Sequence, residues 1–470
     1  MTVAQRWVLA LSSMTTFMIM LDALVVTTAL QSIRLDLGAT VEQLEWTVNA
    51  YTLSFAVLLM AGAALGDRFG RRRMLAIGIV IFVAASVACA LAPTIGWLVA
   101  ARVLQGVGAA AAAPVGQALL GVAFNAKERP KALGLFWSVT GLATLGGPIV
   151  GGVIVDGATW PWIFWLNVPI GLVLVPLVLT KIDESVGAKQ RFDYGGVLLA
   201  TVAAFGLVWA LVRGNEVGWT NPEIIGAFVL AVLSAIGFVW WELRNSAPLV
   251  PIHFFKARGF SAGNSAIFLL FASSFAGLFF FAQLLQTVLH YGPLGAGLRL
   301  APWTVTVLLF APVTGMLMGR FGERPLVAGG LLFQSIAAGW FAVIADPAMS
   351  YGEMVLPFII AGIGTSMTVP ASTNAVFGAV PDAAFGPASG TSSTMRQLGG
   401  AFGIALAVAI FSAAGGGYAT AQEFTDGFGA AMTVAALVAL AGVAAGLAVP
   451  ARRPMPVPED VAVAKVSRIV

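Results

Sequence analysis

The chain has 470 residues, 59% of them hydrophobic and only 10% charged, with a formal net charge of +4. A soluble chain carries about 25% charged residues, so this depletion, with a mean hydropathy of +0.93, excludes an ordinary water-soluble globule. The single cysteine, Cys89, excludes an intrachain disulfide, and no Cys/His cluster has the spacing of metal ligands.

Apolar runs of about 20 residues, the length that crosses a ~30 Å hydrocarbon core as a helix, recur through the chain without strand alternation. The expected fold class is therefore an all-α polytopic membrane protein. Fourteen runs are read. The first, 7–30, is too long for a signal-peptide core and has no small-residue cleavage site, so it reads as a retained helix. It carries Asp22, the only acid deep within a run. At ~1.5 Å per residue, Asp22 lies roughly 12 Å below the outer end. Runs 44–65 and 75–92 follow, with Trp46, Asn49 and Tyr51 in the former. Run 97–121 carries Arg102, roughly 8 Å deep on the same count, and Gln105 and Gln117. Asp22 and Arg102 can thus share a layer, and a carboxylate whose partner approaches or withdraws can exchange a proton.

Run 133–155 carries Trp137 and a small-residue stretch, Gly141, Gly146, Gly147, Pro148, Gly151 and Gly152. Small faces let helices pack closely, and Pro148 lacks a backbone donor and favours a kink. Run 161–180 closes a first group, and 195–213 and 222–242 follow. Run 262–289 carries Phe275, Phe279, Gln283 and Gln286. Runs 299–318 and 325–345 precede 353–378, which holds Asn374. Run 388–412 holds Arg396, with no acid partner in evidence, and 428–449 is the last. The substrate-cavity candidates are Trp46, Asn49, Tyr51, Gln105, Gln117, Trp137, Phe275, Phe279, Gln283, Gln286, Asn374 and Arg396. An apolar, aromatic cavity with few fixed polar groups suits bulky amphipathic ligands rather than sugars.

With the amino terminus inside, 20 of the 25 lysines and arginines fall in inside segments and three, Arg34, Arg213 and Arg299, fall outside. That is the positive-inside bias, and one miscounted helix would have reversed every later loop. The densest inside cluster is Gly66-Asp67-Arg68-Phe69-Gly70-Arg71-Arg72-Arg73. An anchor needs only arginines. Here two glycines permit a tight reversal, and Asp67 can accept hydrogen bonds from arginine or from a helix start. The cluster reads either as a conformational latch built on Gly66, Asp67, Gly70 and Arg71 or as a simple topogenic charge.

Gly66–Arg73 resembles the signature loop of the major facilitator superfamily. Arg102 to Gly108 is similar to its helix 4 motif, and Gly141 to Gly152 to its antiporter motif. Leu21-Asp22 with Val25-Val26, Trp162 to Gly171, and Arg396-Gln397-Leu398-Gly399-Gly400 resemble the fourteen-spanner drug:proton antiporters of the QacA/EmrB type. The resemblance implies two six-helix halves, 1–180 and 259–450, two inserted helices within 181–258, and a cytoplasmic tail, 451–470. It implies alternating access about a midplane site, export of lipophilic small molecules, and proton coupling through Asp22 and Arg102. No cofactor is implied beyond the proton gradient. The implied partners are a small-molecule substrate, protons and the bilayer, with no nucleic acid and a monomer as the working unit, in the plasma membrane with both termini cytoplasmic.

Some positions depart from the pattern. Thr27, Thr28 and Gln31 stand where the family usually continues with Asn and Pro, and run 299–318 has no carboxylate. Neutral, zwitterionic or monocationic cargo is therefore expected over dications. Uptake of a metabolite, or movement of a lipid, is the alternative within transport, and the helix 5 motif argues against uptake. An enzyme or receptor is disfavoured: no nucleophile–base set or phosphate loop appears, and the two histidines, His253 and His290, lie near loop ends. Orientation is directly testable. Arg34→Cys and Arg72→Cys, each in a Cys89→Ala background, should label from opposite faces with a membrane-impermeant maleimide. Outside labelling at position 72 would overturn the assignment.

Overall fold

A computed structural model describes residues 1–39, 41–187, 193–245, 248, 250, 252–417 and 419–451. Outside that set lie the side chains of Thr27, Thr28, Gln31 and Pro148, and all of Lys189, Arg191 and the tail from 452. The described residues form helices and no strand. In order these are α1 (Val3–Leu37), α2 (Val41–Phe69), α3 (Arg71–Ala90), α4 (Ile95–Ala123), α5 (Arg129–Gly157), α6 (Trp162–Trp165), α7 (Asn167–Lys181), α8 (Tyr194–Val217) and α9 (Pro222–Arg244). Then come α10 (Arg258–Thr287), α11 (Pro293–Arg299), α12 (Ala301–Phe321), α13 (Glu323–Val343), α14 (Tyr351–Phe377), α15 (Phe385–Ala413) and α16 (Ala421–Ala448).

The helix ends follow local chemistry. Thr2 and Gln5 form a reciprocal capping box on α1, which stops at Gly38 in the left-handed region. Asn221 caps α9 just ahead of Pro222. Thirteen stretches among the described residues are long and apolar enough to cross a bilayer, with α6 and α7 making one. The remaining long helix is α5, 29 residues or roughly 43 Å at ~1.5 Å per residue. Two boundaries differ from the apolar runs. The run 161–180 is broken at Leu166, between α6 and α7, and Arg299 ends the separate short helix α11 instead of opening the next span.

Helices α1 to α7 pack on one another, and so do α10 to α16. In the first group α4 lies against both α2 and α3, which its small residues permit. A Cβ on Gly108 would sit 2.5 Å from the Phe82 backbone nitrogen, and one on Gly106 would sit 2.7 Å from the Tyr51 carbonyl oxygen. The α8–α9 pair leans on α2 and α15 through α8. Three seams join the groups: α5 against α11, α12 and α14, α2 against α15, and α4 against α15.

The α5–α12 seam is nearly backbone on backbone. A Cβ on Gly134 would come 2.5 Å from the Ala311 carbonyl oxygen, and one on Gly315 would come 2.7 Å from that of Pro130. Overpacking of this kind costs roughly 1–3 kcal/mol, or about five- to hundredfold in the balance between a closed and a parted seam. Gly134→Val and Gly315→Val should each part the seam at the end bearing the Gly66–Arg73 loop. Cysteine accessibility at buried positions there should rise while far-ultraviolet circular dichroism stays helical. Unchanged accessibility in both would show that the seam tolerates bulk.

Candidate functional site

Asp22 on α1 and Arg102 on α4 meet at 2.5 Å, and neither side chain reaches solvent. Asp22 also accepts from the side-chain amides of Gln105 at 2.8 Å and Asn167 at 2.7 Å. Arg102 donates through Nε to the Thr47 carbonyl at 3.0 Å and through Nη1 to Gln105 Oε1 at 2.6 Å. Its guanidinium lies 4.1 Å from the Tyr51 ring centroid. The Ser86 hydroxyl accepts from Gln105 and from Asn167, and the Cys89 thiol reaches Gln105 at 3.7 Å. Helices α1, α2, α3, α4 and α7 therefore share one buried polar knot. Such a knot stands only if its charges are paired and its donors satisfied.

The glycines of α5 press on the same stretch of α1. A Cβ on Gly147 would come 2.5 Å from Leu24 Cβ, and one on Gly146 would come 3.4 Å from Leu21 Cδ1. On its other side, Gly141 approaches Val307 of α12, with a Cβ contact of 3.3 Å. Gly151 is buried and Gly152 half-buried. The helix 5 motif thus lies between the polar knot and the second group of helices.

At the arginine-rich end, Asp67 pairs with Arg71 at 2.7 Å. Its carboxylate also sits against Gly386 in the first turn of α15, where any Cβ would overlap it. Gly66 packs on Val115 of α4. Gly70 has φ +103, which only glycine adopts without strain, and it opens α3. The chain after α7 closes over that opening. Glu184 accepts from the backbone N–H groups of Arg72 at 2.9 Å and Arg73 at 3.3 Å, the Arg71 N–H donates to the Ser185 carbonyl at 2.8 Å, and the Gly187 N–H donates to that of Asp67 at 2.9 Å. A carboxylate at a helix start is favourable electrostatically. Beside this clamp, the Ser389 hydroxyl donates to the Pro114 carbonyl at 2.5 Å, and the Arg129 guanidinium covers the Phe385 ring at 4.6 Å. These contacts shut the space between the two groups of helices toward the arginine-rich end.

Above the closure is a small closed chamber of about 10 Å³, lined by Gln117, Trp137, Ile267, Phe271, Val369, Thr373, Ser392, Ser393 and Arg396. It draws on α4 and α5 from one group and on α10, α14 and α15 from the other. Of the cavity candidates, Gln117, Trp137 and Arg396 meet here. Phe275, Phe279, Gln283 and Gln286 recur at helical spacing along α10 beyond Phe271, from half-buried Phe275 to exposed Phe279 and Gln286. The others lie elsewhere. Tyr51 and Gln105 are buried in the Asp22 knot, with the Tyr51 hydroxyl donating to the Ile19 carbonyl. Asn374 donates to Glu323 at 2.6 Å, at the start of α13. Trp46 and Asn49 line a separate groove between α2 and α8, with Leu53, Val208, Trp209 and Arg213.

The family model of the Major Facilitator Superfamily matches residues 12–404 and 265–467. The chain belongs to the major facilitator superfamily. It is 35% identical over 389 residues to the multidrug resistance protein Stp of Mycobacterium tuberculosis, covering 82% of this chain and 72% of that one. It is 34% identical over 389 residues to the tetracenomycin C resistance and export protein of Streptomyces glaucescens, at 82% and 72% coverage. The multidrug export protein EmrB of Haemophilus influenzae is 33% identical over 395 residues, at 83% and 77%. These relatives place the chain in the drug:proton antiporter branch expected from its motifs. Solved structures share the fold: the human organic anion transporter MFSD10 (TETRAN) at TM-score 0.66 and 12% identity, covering 94% of this chain and 99% of that one, and the proton:xylose symporter XylE bound to 6-bromo-6-deoxy-D-glucose at TM-score 0.65 and 16%, covering 92% and 94%.

In this superfamily member, reading the sequence missed three participants. Asn167 holds Asp22, Ser86 holds the amides of Asn167 and Gln105 that do so, and Glu184 holds the signature loop. Asn167 stands in the motif Trp162 to Gly171, inside the apolar run 161–180, where its direction around the helix could not be assigned. Ser86 and Glu184 had no signal beyond their polarity. The geometry at Asp67 yields a paired test. Asp67→Asn removes the charge, and Gly386→Val displaces the carboxylate while keeping it. Both should slow turnover without weakening substrate binding. Wild-type turnover in both would reduce the loop to a topological anchor.

Proposed function

We propose that this chain is a proton-coupled antiporter that carries lipophilic or amphipathic small molecules out of the cell, across the plasma membrane, working as a monomer. In this reading the arginine-rich end and both termini are cytoplasmic. The halves 1–180 and 259–450 rock about the chamber, with 181–258 between them and 451–470 as a tail. The observation that carries it is the chamber between the two helix groups, sealed at the end where the positive charge collects. The names of the relatives, multidrug resistance, tetracenomycin C export and multidrug export, support cargo of this class and favour export over uptake.

The state described here is then the one closed to the cytoplasm. Cargo leaves from the opposite face, after which a proton enters. Asp22 is the carrier in this scheme. Protonation removes its charge and leaves Arg102 without a counter-ion, and a buried ion stripped of its partner is unfavourable by several kcal/mol. The knot must then rearrange. Because α5 presses Gly147 on Leu24 and Gly141 toward Val307, a shift of α1 is passed to the seam between the halves. Cargo and proton thereby compete for one charge state without sharing one pocket.

Asp22→Asn fixes the neutral form. In proteoliposomes with an imposed pH gradient it should abolish uphill transport and leave some downhill exchange of an uncharged substrate. If it still concentrates substrate at the wild-type rate, the proton travels by another group.

A further inference from the structure

Arg102 and Arg396 are both buried arginines on spanning helices, and they differ in one respect. Arg102 is tied to Asp22, Gln105 and the Thr47 carbonyl. Arg396, on α15, is 7% exposed and has no acidic partner among the described residues. Its guanidinium lies between two rings, 5.3 Å from the Trp137 centroid and 5.9 Å from that of Phe271. Its Nε–H is buried without an acceptor, and so is the indole N–H of Trp137. Both groups line the central chamber, whose other seven lining residues are uncharged.

We infer that the chamber binds an oxyanion, a carboxylate or acidic phenolate carried on an amphipathic cargo, through the guanidinium of Arg396 and the indole N–H of Trp137. The inference rests on the export reading and names its substrate class. Two orphan donors and one uncompensated cation face the same space. A charged acceptor satisfies all three at once, and a hydrogen bond from a cation to an anion is among the strongest a protein makes. The wall's serines already donate elsewhere, Ser393 to Gln117 Oε1 at 3.4 Å and Ser392 to Asn264 Oδ1 at 2.9 Å, and neither is bonded to Arg396 or to the Trp137 indole. A cationic cargo would bring a second positive charge to a chamber with no acid. This departs from the neutral, zwitterionic or monocationic cargo expected from the lack of a carboxylate in run 299–318.

In the state described here the chamber is closed down to about 10 Å³, on the order of one water, so cargo enters only once the halves part, and its charged head is the portion placed between Arg396 and Trp137. The apolar body then follows the α10 stripe, Phe271, Phe275 and Phe279, toward the opposite end.

The test needs no gradient. Binding of pyrenebutyrate, its methyl ester and its trimethylammonium analogue is measured by fluorescence on the full chain in nanodiscs. Wild type should prefer the carboxylate over the ester by about tenfold or more, the range of a charge-assisted hydrogen bond, and bind the ammonium probe least. Arg396→Gln should erase the preference, Arg396→Lys should restore part of it, and Trp137→Phe should reduce it while keeping the ring. Thermal unfolding of each variant checks that it is folded. No saturable binding of pyrenebutyrate by wild type, equal affinity for the three probes, or a preference that survives Arg396→Gln would overturn the inference. Gradient-driven transport of the uncharged ester is scored separately, so the export reading stands or falls on its own result.

Discussion

A carboxylate and a guanidinium 2.5 Å apart, both cut off from solvent, govern the first half of this molecule. Burying either ion alone in a bilayer-spanning bundle is costly, and beyond the pairing itself two side-chain amides and one backbone carbonyl supply most of the remaining hydrogen bonds, leaving Arg102 Nη2 without an acceptor. Thr47, Gln105 and Asn167 supply those groups from α2, α4 and α7, so the pair ties together helices whose contacts are otherwise mostly apolar. Such helices could slide or rotate against one another with little change in burial. The polar knot removes that freedom, and α5 packs between it and the seam with the second half.

The two halves keep the same plan with different chemistry. Gly70, at φ +103 ahead of α3, has its counterpart in Gly322, at φ +80 ahead of α13. The loop Gly319–Arg324 therefore repeats the turn of Gly66–Arg73. Its acid, Glu323, bonds to Asn374 within the same half, whereas Asp67 reaches across to α15. In the second half, Ser273 and Gln334 stand at 3.4 Å beside a small neutral pocket lined also by Trp303 and Phe341. Among the described residues no ion pair lies within that bundle. The division places the paired charge in one half and the unpaired cation at the boundary between them.

Much of this was legible in the sequence because bilayers impose severe rules. Charge depletion and 20-residue apolar runs announced spanning helices, and the depth count put Asp22 and Arg102 in one layer. The glycines and acid of Gly66–Arg73 announced a contact beyond topology. Direction around a helix axis was not legible. A helix apolar all round has no amphipathic face to orient its few polar residues, so Tyr51 and Gln105 were assigned to a cavity when they turn toward Asp22. Asn374 was misplaced for the same reason. Glu184 lies in a connecting segment, and its role depends on α7 ending beside α3, which no local pattern encodes. The break at Leu166, which sets Asn167 at the start of α7, was hidden because the run stays apolar across it.

The central claim is that cargo and proton compete for one buried charge state while occupying different places. Proton release on cargo binding tests it most directly. Wild-type protein in weakly buffered detergent solution is titrated with an uncharged cargo, and a pH indicator follows the medium across the neutral range. The account predicts protons released in proportion to cargo bound, saturating together with it. Saturable cargo binding with no proton released at any pH in that range would contradict it.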